Sequence, residues 1–68
     1  MIIRADNINP RDAEFVEYHT LGTRQPVSGI VVDAYTHNGW TQLLIQPSPY
    51  SNRCEWHALA THRLVRVS

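Results

Sequence analysis

Lysine is missing from this chain, and every permanently cationic side chain is an arginine. Arginine forks fit carboxylate and phosphate, while an all-arginine complement also follows from a compositional bias of the coding genome. Net charge is zero, so the broad basic footprint of sequence-independent nucleic-acid binding is lacking. Cysteine occurs once, at Cys54, which excludes an intrachain disulfide and gives no sign of an oxidising compartment. No apolar run approaches the ~18 residues of a membrane span, and Asp6 comes too early for a secretory leader. A soluble cytoplasmic protein without membrane contact is expected. No repeat, low-complexity tract or linker divides the chain, so residues 1–68 are read as one domain. A domain of this length buries only about 60% of its unfolded surface, which makes self-association a natural supplement.

The chemistry needed for catalysis is also scarce. The three glycines match no phosphate-binding loop. Cys54, His57 and His62 read C-x2-H-x4-H, with His37 a possible fourth ligand, and zinc takes these residue types. Cys54 and His57, however, lie three apart on an expected strand and point to opposite faces, and no paired C-x2-C knuckle is present. Strand alternation places Cys54 with Trp56 and points both inward, away from a nucleophile's position. Asp33 and Glu55 have no evident partner for acid–base work. No metal, no cofactor and no enzymatic activity are expected.

What is present is β-structure. Met1–Arg4 reads as a short strand. Asn9-Pro10 reads as an N-cap with proline at the first helical position, and Gly22 as a helix stop. The apolar residues of that stretch scatter around a helical wheel, and residues 14–20 read equally as a strand with Val16, Tyr18 and Thr20 on one side and Phe15, Glu17 and His19 on the other. Helix and strand therefore stay open for residues 10–21. Val27–Thr36 and Trp40–Gln46 flank Asn38-Gly39, the dipeptide favoured by a type I′ turn, because both its residues need positive φ. Pro47-Ser48-Pro49 and Ser51-Asn52 mark a loop. Asn52–His57 reads as a strand, Ala58–His62 as one helical turn, and Leu64–Val67 as a closing strand.

A two-residue turn sets the hairpin register. His37 should face Trp40, Thr36 Thr41, Tyr35 Gln42, Ala34 Leu43, Asp33 Leu44, and Val32 Ile45. One side then carries Ile30, Val32, Ala34, Thr36, Thr41, Leu43 and Ile45, the expected core. The other carries Val31, Asp33, Tyr35, His37, Trp40, Gln42, Leu44 and Gln46. Large aromatics among polar groups have the composition of interfaces and stacking platforms, and they also simply cover the sheet of a very small domain. Tyr35, His37, Trp40, Gln42 and Leu44 are the candidate partner-binding residues.

The order of hairpin, third strand, single helical turn and short last strand, carried by "CEWHALATHRLVRV" after the Asn-Gly hairpin, resembles an SH3-like small barrel over residues 27–67. Sm-like, Tudor and KOW-type domains have similar layouts. The plasmid-borne type II dihydrofolate reductases are also similar: short chains with this barrel, active as tetramers around a pore. Their Val-Gln-Ile-Tyr pore motif corresponds here to Cys54-Glu55-Trp56-His57, with none of the four residues kept, so this likeness implies the fold and oligomerisation, not the activity. The fold expected is an all-β SH3-like barrel of about five strands, with an α+β domain bearing an N-terminal helix as the alternative. The function expected is a non-catalytic module that binds a protein partner or itself, of the sort found as accessory proteins of phages and mobile elements. The alternatives are an RNA- or DNA-binding barrel using Tyr35 and Trp40 with Arg53, Arg63 and Arg66, and an oligomeric pore enzyme of the reductase kind.

Overall fold

The computed structural model describes residues 1–19 and 26–68. Among the described residues six antiparallel strands form one sheet: β1 (Ile2–Arg4), β2 (Phe15–Tyr18), β3 (Val27–His37), β4 (Trp40–Gln46), β5 (Glu55–Ala60) and β6 (Leu64–Val67). Their order is β1-β6-β2-β3-β4-β5, so β2 to β5 make a meander and β6 returns to lie between β1 and β2. The class is all-β; among the described residues the helical structure is limited to 3₁₀ turns at Ala5–Asn7 and Pro10–Asp12.

Of the stretch left open between helix and strand, Pro10–Asp12 forms a 3₁₀ turn and Phe15–Tyr18 a strand. Asn9 caps as its sequence suggests, its side chain accepting from the Arg11 amide at 3.0 Å, with Pro10 next. The helix stops after one turn because Ala13 enters the left-handed region at φ 49°. β2 then buries Val16 and Tyr18, a gain that an apolar set scattered around a helix could not obtain. Thr20, Leu21 and Gly22, which figure in both readings, lie outside the described residues.

Asn38 and Gly39 have φ of 51° and 80°, as the type I′ turn requires. The expected register holds from His37↔Trp40 to Asp33↔Leu44. It then fails: Ile45 pairs with Val31, because a β-bulge inserts Val32 between Val31 and Asp33. An extra residue reverses the side-chain parity beyond it. Val31 is therefore fully buried and Val32 is 42% exposed, opposite to expectation. Ile30-Val31-Val32 is β-branched throughout and offers no alternation from which the shift could be read.

Two further expectations need correction. The third hairpin strand begins at Glu55, not Asn52, and continues through Ala60, so the helical turn expected over Ala58–His62 is not formed. Ala58 and Ala60 pair with Gln42 and Trp40 of β4; ladder pairing overrides the helical propensity of alanine. A tight turn follows, closed by the Arg63 amide donating to the Ala60 carbonyl at 2.9 Å. Cys54 thus lies outside the strand and exposed, and Trp56 points outward across from Leu44.

The core gathers Val16 and Tyr18 from β2, Val31 from β3, Leu43 and Ile45 from β4, Leu59 from β5, and Val65 and Val67 from β6, closed by Ala5 and Ile8 of the N-terminal turns. The buried Thr41 hydroxyl is satisfied by Thr36 at 2.9 Å and Thr61 at 3.3 Å. The Thr61 amide donates to the Gly39 carbonyl at 3.0 Å, which ties the β5–β6 turn to the hairpin tip. β3 lies close against the end of β4 at Gly29, where a Cβ would stand 2.5 Å from the Gln46 carbonyl oxygen.

Candidate partner-binding face

The outer side of β3, β4 and β5 is laid out in three rows by the strand register: Asp33–Leu44–Trp56, Tyr35–Gln42–Ala58 and His37–Trp40–Ala60. Tyr35 and Trp40 are each 56% exposed and Trp56 is 49% exposed. The Tyr35 and Trp56 rings meet edge to face above β4, with centroids 5.7 Å apart and planes at 69°, a favoured geometry for aromatic pairs. Gln42 and Leu44, beneath and beside these rings, are half-buried. At one end the Gln46 amide, on the same side of β4, donates to the Ser51 carbonyl at 2.9 Å and ties the following loop to this face. Tyr50, in that loop, is 94% exposed.

The structure therefore brings all five sequence-predicted residues onto one face and adds three. Trp56, Ala58 and Ala60 belong to it and were not expected there. Their signal was available: Leu59 is the aliphatic residue of β5, and turning it inward against Thr41 forces Trp56, Ala58 and Ala60 outward. The strand boundary, set one turn too early, hid this alternation.

The three arginines of the nucleic-acid alternative are not assembled. Arg53 is exposed in the loop before β5, while Arg63 and Arg66 lie at β6, which β2 separates from β3. Both line a separate concavity of about 380 Å³ with Ile2, Glu17, Tyr18, His19, Leu64 and Val65. Arg66 pairs across strands with Glu17. Arg63 donates to the His19 carbonyl, and its guanidinium lies 5.8 Å from the Tyr18 ring centre. Burial pushes the Tyr18 hydroxyl up to about 12, with the Arg63 charge pulling the other way. That hydroxyl has no hydrogen-bond partner among the described residues.

Cys54, His57, His62 and His37 do not converge; among the described residues no three His, Cys, Asp or Glu side chains come together as a metal site. His57 points inward from β5, across from Leu43, and its imidazole lies 3.8 Å from the Glu55 carboxylate. No described helix is long and apolar enough to cross a membrane. Comparison with known protein families, with curated proteins and with solved structures found no match to the chain.

Proposed function

We propose that the chain is a small, non-catalytic interaction module of the SH3-like barrel type, which binds a protein through the outer face of β3, β4 and β5. The observation that carries this reading is the clustering of Tyr35, Trp40 and Trp56, all about half exposed, on one three-stranded surface. Aromatic anchors with few charges at the centre are the composition of interface cores. The meander β2–β5 with a last strand returning beside β2 supports the barrel type. Nucleic acid is the weaker reading, because Arg63 and Arg66 stand apart from the aromatic face, with Arg66 in register with Glu17 of β2 and Arg63 donating to the His19 carbonyl. An oligomeric pore enzyme is weaker still, since the reductase motif positions hold Cys54-Glu55-Trp56-His57. An accessory role in a phage or mobile element, in the cytoplasm, fits a small barrel of this kind.

The test is Trp40→Ala. Losing an anchor of this size should cost about 2 kcal/mol or more of binding, roughly 30-fold in affinity. Monomer stability should change by less than about 0.5 kcal/mol, because Trp40 is outside the core. Association that survives Trp40→Ala unchanged refutes the assignment of this face. Affinity that falls linearly with salt on logarithmic axes, with a slope flattened by Arg63→Ala or Arg66→Ala, would point to nucleic acid instead.

A further inference from the structure

We infer that the occupant of this face is a second copy of the same chain, related by a two-fold axis that lies in the interface and runs across the strands at the level of Tyr35, Gln42 and Ala58; this rests on the protein-binding reading above.

Self-complementarity carries the argument. A two-fold interface must present a patch that matches itself, so that if one residue meets another the reverse contact also forms. The axis stated here lays β3 on β3, β4 on β4 and β5 on β5 in opposite directions and exchanges the two outer rows. On β5, Trp56 then faces the partner's Ala60, a large ring over a methyl group. On β4, Leu44 faces the partner's Trp40. On β3, Asp33 faces the partner's His37, a carboxylate opposite an imidazole. The central row, with Tyr35, Gln42 and Ala58, meets its own copy. No large side chain other than Tyr35 and Gln42 is set against its equal, and no like charges are opposed. The chain's net charge of zero adds no long-range repulsion between copies.

The area also fits. With roughly 220 Å² for a fully exposed aromatic side chain, the exposed fractions of Tyr35, Trp40 and Trp56 provide on the order of 350 Å² of aromatic surface. A standard interface buries about 800 Å² per partner, so these three rings alone supply somewhat less than half of what a stable dimer needs, and His37, Gln42, Leu44 and Ala58 of the same face add to it. A chain of 68 residues gains from such burial in proportion, because its own core is small.

The chain's two tryptophans, Trp40 and Trp56, both lie on the face, so their fluorescence reports its burial directly. Sedimentation equilibrium from low micromolar to millimolar concentration is expected to give twice the 7.8 kDa chain mass, with tryptophan emission moving to shorter wavelength as the dimer forms. Ala58→Glu, at an exposed position on the axis, opposes two like charges and should give a monomer with red-shifted emission and an unchanged β circular-dichroism spectrum. His37→Asp sets it against the partner's Asp33 and should weaken association about tenfold; adding Asp33→His should restore it. A dimer that persists in Ala58→Glu, or a double variant that fails to recover while both singles fold, overturns the arrangement. A wild-type monomer at every concentration overturns the second copy as occupant, and whether Trp40→Ala then still abolishes capture of another protein decides if the protein-binding reading falls with it.

Discussion

Threonine in place of valine at positions 31 and 32 tests the bulge with almost no change of volume. Threonine keeps the β-branched shape and strand propensity and exchanges one methyl for a hydroxyl. Val31 is at 0% exposure, among the core cluster with Ile45 as its cross-strand partner. A hydroxyl there is taken from water into an apolar site, at a cost of about 1–3 kcal/mol when no partner is at hand. Val32, at 42% exposure, keeps the new hydroxyl in contact with solvent, and its replacement should stay within about 0.5 kcal/mol. The stability of a chain this short is roughly 3–10 kcal/mol, so the first variant loses a large fraction and the second almost none. Each kcal/mol corresponds to about 4–8 °C in a domain of this size. Urea and thermal unfolding followed by circular dichroism measure both, at one protein concentration, so that association contributes equally. A large loss at Val32 with none at Val31 would place Val32 inward, in the uninterrupted hairpin register; equal losses would mean that the two side chains do not lie on opposite sides of β3.

Gly29→Ala should destabilise by roughly 2 kcal/mol or more, because φ at this position is 152° and the added Cβ meets the backbone oxygen of Gln46 at 2.5 Å; a fully folded variant with unchanged urea midpoint would contradict the close approach of β3 and β4. Tyr18, with its hydroxyl pushed up to about 12 from 10.0 by burial, folds in the neutral form, so its contribution is fully present below pH 10 and is lost between pH 10 and 12. The loss should reach about 2–3 kcal/mol, and Tyr18→Phe should be near neutral at pH 7 and remove this alkaline decline; a decline of the same size in both proteins assigns it elsewhere.

Local chemistry determined much of this protein. Asn38-Gly39 set a two-residue turn, and the turn set five consecutive residue pairs from His37↔Trp40 to Asp33↔Leu44, because a primed turn leaves no freedom of register near it. Those pairs were enough to collect Tyr35, His37, Trp40, Gln42 and Leu44 on one surface. The Asn9-Pro10 cap was equally legible, although the helix it opens lasts one turn. Tertiary packing decided the rest. The bulge at Val32 carries no local signal in a run of β-branched residues; it arises where β3 must also pair with β2, with the Val31 amide donating to the Glu14 carbonyl at 3.0 Å. The choice of strand over helix at Phe15–Tyr18 depended on places for Val16 and Tyr18 beneath β3 and β6, which are residues far away in sequence. The extension of β5 through Ala60 depended on a free ladder on β4. That extension turned Trp56 outward and completed the aromatic face, because in a strand the side on which a residue lies is fixed by the parity of its pairing, and pairing is a property of the assembled sheet.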